Sequence, residues 1–556
     1  MTILIFVVFN IVLFLAFRGL LTIIKIATHK GFIIDRLNVA SIPIFVFFPV
    51  LSLFLIGNIS VFANFFLPIK QLNIYWLVIL FILLFSNLKE PFQFENRMFL
   101  LISLIIIPSI LSISSYGLKL HYDSIDYHIN FQYWIRESKI VFGLANLYIA
   151  YGWSTIYEYI LSNFWYKDNF IFLHYVNLIF FTFFYNFVAY NIIFSSNKFL
   201  KYSSISVAFY SFLDNFGING GGNGFLSIQM VGKPDLAVGI LYFVTLIIFL
   251  DDFLRNKYSN NNFIIITILA LFSFQIKIVS AYLIIPVLIY MFKVSKQKIR
   301  KFHFQTFLIL IFLLIGFIIK NIIISGCVFF PIEQLCINDL TWTDQSKVEQ
   351  FSSSVVANNN GLTISTDLKN WFSDWINNAY NTQVYSNMLG SFIIIFIINR
   401  LTFKKNTNQD KKNEIYSIAI ILLIALAFFI TGPTVRYGFG TFLIVLSLIT
   451  LRRNNPKSKL NIKIFNKLVV LVLFISIILT PRIYSYLGFF ESPLPLTKIE
   501  DSTEEYLNLG SLKELKTIKV ENSTCFIPKT CIKNDDYRDI QYSQIGNYTL
   551  YTIKEN

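Results

Sequence analysis

Residues 116–168 read YGLKLHYDSIDYHINFQYWIRESKIVFGLANLYIAYGWSTIYEYILSNFWYKD. This polar island stands between long apolar runs, and those runs decide the fold. Upstream lies FLLISLIIIPSILSIS at 99–114, and downstream NFIFLHYVNLIFFTFFYNFVAYNIIFS at 169–195. Hydrophobic residues make up 55% of the 556 positions and charged residues 14%, with a mean hydropathy of +0.62. A soluble chain of this size has too few polar groups to cover so much apolar surface. Sixty-one Phe within long Ile/Leu/Phe runs read as an all-α polytopic membrane protein. The first run, TILIFVVFNIVLFLAF, has neither a basic leader nor a small-residue cleavage site, so it reads as a retained span.

A net charge of +15 raises the question of nucleic acid. The Lys and Arg residues sit in short clusters between apolar segments, the pattern of cytoplasmic loops, so the expected partner is the lipid bilayer and not nucleic acid. About fourteen spans are expected from the ~20 residues needed to cross. They fall at 2–17, 42–64, 72–87, 98–115, 169–195, 202–214, 236–250, 262–276, 278–292, 304–323, 386–402, 415–430, 437–451 and 464–480. The shortest of these also suit half-helices. Basic loops recur between alternate spans, from Arg18 to Arg36 through to Arg452 to Lys463. Placing all of them in the cytoplasm leaves both termini outside. The loops 116–168, 215–235, 324–385 and 431–436 are then extracytoplasmic. Residues 1–480 form the multi-span domain, and 481–556 a small extracytoplasmic tail of α/β character, with a helix expected around EEYLNLGSLKELK and strands at pieces such as NYTLYTI.

The four cysteines all fall on that outer side. Cys327 with Cys336 and Cys525 with Cys531 form two close pairs without metal-ligand spacing, which predicts two small disulfides in an oxidising compartment.

Several outer residues suit chemistry. Asp123, Asp126 and His128 lie within YDSIDYH; on a helix the two acids share a face at i,i+3. A carboxylate there would accept a proton from an attacking hydroxyl, and His128 would share that role or bind an anionic phosphate. The same pattern also suits a solvated loop. GKPD, with Lys233 and Asp235, follows a Gly-rich run whose free N–H groups suit anions, although it lacks the P-loop spacing; Asp235 equally suits a helix cap. Lys277 in FSFQIKIVSAY is costly in lipid without a partner or a water-filled cavity, or it snorkels to the interface. Arg436 in TGPTVRYGFG stands on a rigid turn and suits a phosphate. Trp342, Trp371 and Trp375 suit sugar stacking or the membrane interface.

The ordered set HYDSIDYH, FGLANL, KPDL, IKIVSA, KNIIISGCVFFP, GPTVRYGFG and a CxxxxxC tail resembles a family of large bacterial polytopic membrane proteins. Those are similar to GT-C-type glycosyltransferases of surface-polysaccharide pathways. The resemblance runs from about residue 116 to the C-terminus. It implies a GT-C-like membrane enzyme of the bacterial inner membrane, whose active face is extracytoplasmic. The substrate it implies is a polyprenyl-phosphate- or pyrophosphate-linked sugar, and the acceptor a glycan or lipid. The base or acceptor-orienting acid of such enzymes matches Asp123, with Asp126 a second candidate. His128 and Asn146 fall on motif positions, and Arg436 in the turn expected near the lipid phosphate. One departure stands out: a basic residue is expected before the glycine of Ala150-Tyr151-Gly152. Some GT-C enzymes use a divalent metal, to which Asp123 and Asp126 would contribute, but no ligand set is complete. The alternatives are a polysaccharide polymerase or ligase, which shares side and carrier, and a lipid-linked oligosaccharide flippase, which is not an enzyme.

Overall fold

A computed structural model describes residues 2–28, 34–117, 119–120, 124–165, 171–216, 228, 230–231, 234–295, 300–358, 367–404, 411–431, 435–449, 451, 455–456, 459–481, 503–508, 514–519 and 540–553. The protein is mostly helical, and each apolar segment singled out above is helical over most of its length. Among the described residues, seven helices are long and apolar enough to cross a membrane. They are Thr2–Thr28, Ile44–Asn64, Ile69–Lys89, Arg97–Tyr116, Ile171–Ile193, Asp235–Arg255 and Phe307–Ser325. Asn260–Ile276, Ile278–Val294 and Asn466–Leu479 are shorter apolar helices.

Burial separates a centre from a rim. The apolar windows of Asp235–Arg255 and Ile171–Ile193 are 100% and 94% buried, and that of Ile69–Lys89 only 17%. On the last helix Ile74, Leu77, Phe81 and Phe85 stand exposed. In water such a face would be a large unsatisfied patch; against acyl chains it is at home.

Several interior polar side chains pair between segments distant in the sequence, as burial away from water favours. Arg18 is fully buried and gives Asp35 two bonds of 2.9 Å and Asn87 one of 3.0 Å. Asn58 and Gln275 exchange amide hydrogen bonds at 2.9 and 3.3 Å.

The loops gather at two ends. At one, Arg18 meets Asp35, Asp252 accepts from Asn262 and Tyr290, and Phe403–Lys404 pairs with Asn455–Pro456. At the other lie the described parts of the island, Met230–Val231, Asp235, Lys277, the segment after Ser325 and the strands Ile540–Ile545 and Tyr548–Ile553. Asn64 there donates to Ile135 and Ser138, and Tyr548 donates to Phe65.

The island holds a π-turn at Ser124–His128, helices Ile129–Glu137 and Ile156–Leu161, and 3-10 turns, most of them buried. Its apolar and aromatic residues alternate tightly enough with polar ones to pack. In the tail, the helix expected around EEYLNLGSLKELK is an antiparallel pair, Thr503–Asn508 with Glu514–Lys519. The Asn508-Leu-Gly-Ser break interrupts helical propagation and leaves two short arms able to pair. Tyr548–Ile553 is a strand, paired with Ile540–Ile545. Cys327 and Cys336 form a disulfide; Cys525 and Cys531 lie outside the described residues.

Candidate functional site

The island is braced on three sides. Ile140 N–H donates to Asn64 O (2.9 Å), Gly143 N–H to Ile323 O (2.9 Å), and Phe142 exchanges backbone bonds with Thr549 and Tyr551 (3.0 Å each). Gly143 has φ +65°, and a Cβ there would fall 2.2 Å from Tyr551 O, so only glycine fits this crossing. Beside it the Asn146 amide donates to Trp342 O and Tyr551 O, both at 3.0 Å. Asn146, expected to bind substrate, thus commits its N–H groups to holding three distant segments together. Trp342 lies edge-on to Phe142 at 5.2 Å.

Within this frame a polar centre forms. His128 closes the π-turn and Glu158 sits mid-way along Ile156–Leu161, and their side chains bond through Nδ1 and Oε1. The other Glu158 oxygen accepts from Gln132 Nε2 at 2.7 Å, and Gln132 Oε1 accepts from Trp165 Nε1 at 2.7 Å. Gln132 lies one helical turn beyond His128, so both face the same neighbour. Side-chain exposure is 7% for His128 and 3% for Glu158. The surroundings are dry enough that burial pushes the Tyr157 and Tyr159 phenols up, with Glu158 adding to the shift at Tyr157. Arg136 closes the group, donating to Ser162 O at 2.7 Å above the Trp165 ring. Burial lowers its pKa, opposed by Glu137.

A second centre is an ion pair between Asp235 and Lys277. A helical hairpin produces it. Asp235–Arg255 stops at Asn256, whose φ of 50° turns the chain, and the Ser259 hydroxyl caps Asn260–Ile276 by accepting from Asn262 N–H at 3.2 Å. Arms of 21 and 17 residues, about 31 and 26 Å at 1.5 Å per residue, return Lys277 to the level of Asp235. Lys277 is therefore not alone: it stands at an extended break between helices, 27% exposed, with its charge met by a carboxylate 9% exposed.

Two further elements converge here. Lys119–Leu120, which leads into the acidic segment, pairs in parallel with Met230–Val231, which leads into Asp235. Helix Val435–Leu448 packs along Asp235–Arg255, where a Cβ at Gly440 would lie 2.9 Å from Gly239 O. Its beginning lies at the Asp235 end, because Tyr282 donates to Ala427 O and Phe428 abuts Gly438. Arg436 is four residues before Gly440 and Asp235 four before Gly239, one turn back in each helix. The backbone thus sets both positions at the same end. The Arg436 and Asp126 side chains, and all of Asp123 and Lys233, lie outside the described residues. Among the described residues no group of three or more His, Cys, Asp or Glu is placed to hold a metal ion.

Three polar residues that the sequence reading passed over are buried here: Glu158, Gln132 and Lys320. Glu158 had a signal, an acid inside the apolar hexamer IYEYIL. Lys320 lies in Phe307–Ser325, fully buried, and donates to Ser154 O and, at 2.8 Å, to Ser154 Oγ, with the Phe317 ring 4.1 Å away. In the sequence it falls inside the expected span 304–323 and opens the stretch KNIIISGCVFFP.

Residues 1–443 match the family described as "Domain of unknown function (DUF8201)", and the chain belongs to that family. No curated protein and no solved structure matches it.

Proposed function

We propose that this family member is an integral-membrane glycosyltransferase. It moves a sugar from a polyprenyl-(pyro)phosphate carrier to an extracytoplasmic glycan or lipid acceptor, with the island end facing away from the cytoplasm. The observation that carries the reading is the Asp235–Lys277 pair, set where the strand leading to the acidic segment joins the strand leading to Asp235. A cation held at the end of a buried helical hairpin suits a lipid phosphate, whose charge grows as it leaves. In this reading Lys277 and Arg436 hold the carrier phosphate, Asp123 orients or deprotonates the acceptor hydroxyl, and the apolar rim seats the polyprenyl chain. Lys233, two residues before Asp235 in the sequence, supplies a further positive charge in this reading, and Asp126 assists Asp123. A divalent metal would supply further phosphate neutralisation there.

The test is a strain lacking the gene, complemented with wild type, Asp123→Asn or Lys277→Met at matched protein levels. Lipid-linked saccharides are profiled in each. Accumulation of one truncated lipid-linked species in the deletion and both variants supports the reading. Complete repeat units with no polymer would indicate a polymerase or ligase instead. Complete lipid-linked oligosaccharide confined to the cytoplasmic face would indicate a flippase. An unchanged profile in the deletion would refute all three.

A further inference from the structure

We infer that helix Leu368–Asn377 is a membrane-surface anchor, and that its partner is the acyl-chain boundary of the leaflet on the island side. The inference stands apart from the proposed reaction, and neither needs the other.

The helix reads LKNWFSDWIN. At 3.6 residues per turn, Trp371, Phe372, Trp375 and Ile376 fall within a sector of about 140°. Lys369, Asn370, Ser373, Asp374 and Asn377 fill the opposite side. That is the division expected of a helix lying between an apolar and a polar medium. Asp367 caps its start, the carboxylate accepting from Lys369 N–H at 3.0 Å and from Asn370 Nδ2 at 2.7 Å. The protein covers only one edge of the apolar sector. Trp375 is 7% exposed, whereas Phe372 and Ile376 stay 49% and 47% exposed.

Two observations name what covers the open edge. The first is continuity with a lipid-facing surface. Asn378 is extended and ends the helix, its N–H closing on Asp374 O at 3.1 Å, and the chain enters Ala379–Thr402 at once. That helix runs to the opposite end of the protein, where the next residues, Phe403–Lys404, pair with Asn455–Pro456. Its 24 residues reach about 36 Å against ~30 Å of hydrocarbon, so its beginning lies at headgroup level. Leu389, Phe392, Ile393, Phe396 and Ile397 on it stand exposed, a surface suited to acyl chains and not to water. Leu368–Asn377 therefore joins the chain where that lipid-facing surface begins.

The second observation is the arrangement of the rings. The Trp375 ring lies nearly parallel to those of Trp371 and Phe372, with centroids 6.2 and 6.0 Å away and interplanar angles of 17° and 25°. A sugar stacks on an open ring face, and a Trp so little exposed offers none. A lipid–water boundary is where such rings are enriched. The polar side carries one cation, Lys369, and one anion, Asp374, so attachment does not depend on anionic headgroups. Seated about 5–10 Å into the boundary, the helix ties the segment that follows the Cys327–Cys336 disulfide to the bilayer surface.

The experiment uses full-length protein carrying Cys525→Ser and Cys531→Ser, with the Cys327–Cys336 disulfide intact. Phe372→Cys, Ile376→Cys, Asn370→Cys and Ser373→Cys are each labelled with nitrobenzoxadiazole in phosphatidylcholine nanodiscs. Lipid with a doxyl group near its acyl ester should quench the labels of Phe372→Cys and Ile376→Cys at least about threefold more than the other two, and aqueous iodide the reverse. Raised salt should leave this pattern unchanged. Iodide access at all four positions would mean a solvated or sugar-binding face. Shielding of Phe372→Cys and Ile376→Cys from both quenchers would mean a covering protein surface. Either result overturns the inference, as does a pattern seen only with anionic lipid. A second arm uses the unmodified protein. Phosphatidylcholine with a photoactivated diazirine in its acyl chain should leave adducts on 371–376 as well as on 389–397, mapped by mass spectrometry. Adducts on 389–397 alone would overturn the anchor.

Discussion

Asp235→Asn tests the site through its stability. The substitution keeps the shape of the side chain and removes the charge opposite Lys277. Separating a fully buried pair costs about 3–5 kcal/mol. The lysine is 27% exposed, so water recovers part of that for it, and the expected loss is about 2–3 kcal/mol. Lys277→Met removes the cation from beside a carboxylate only 9% exposed, and the loss expected is higher, about 3–4 kcal/mol. In the double variant both members of the pair are gone, so its loss should fall short of the sum of the two by about 2 kcal/mol. Other contacts that Asp235 and Lys277 make cancel in this cycle. The assay is reversible unfolding of the purified protein in mixed detergent and dodecyl sulfate micelles, followed by tryptophan fluorescence. Strictly additive losses would refute the pair. On the proposed reaction the double variant regains the fold but not glycan output, because the cation that meets the phosphate is gone.

Three further outcomes follow from the geometry. Gly143→Ala places a methyl 2.2 Å from Tyr551 O at a φ of +65°, and should release the terminal hairpin at a cost above about 2 kcal/mol; limited proteolysis should then cut near 540 before anywhere else. Cys327 and Cys336 should resist maleimide labelling until reductant is added, and Cys327→Ser should cost about 2–3 kcal/mol for the short loop it opens; prompt labelling of unreduced Cys525→Ser/Cys531→Ser protein would contradict this. Arg18→Met leaves Asp35 with the Gln93 N–H in place of the guanidinium and should cost about 3–5 kcal/mol, read as a lower unfolding midpoint in the same micelles.

Much of the architecture was legible because its signal is local. Runs such as 169–195 exceed what any soluble helix needs, and the helix follows from the length of the run. Pairings across the sequence were not legible. Glu158 stands 30 residues from His128, and no periodicity links a π-turn to a helix beyond two 3-10 turns. Asp235 and Lys277 were both visible as residues, yet their contact follows from two near-equal helical arms around Asn256, a geometric fact rather than a motif. Asn146 was found by resemblance and turned out to brace backbone. The segment 503–519 misled because Glu, Leu and Lys favour a helix in isolation, whereas the break after Asn508 decides for strands.

The brace at Asn146 also sets an order of events. Tyr551 is made 405 residues after Asn146, and Tyr548 is made 483 residues after the Phe65 carbonyl that it reaches. At about 5–20 residues per second, the ribosome takes roughly 20–80 s to supply the partner that Asn146 awaits. The spans are released to the bilayer one by one during that interval, while the island stands without its last strand. A nascent chain halted short of that strand would carry every described apolar helix and still lack the tie that joins Asn146 to the terminal hairpin, so the island closes only when synthesis is all but done.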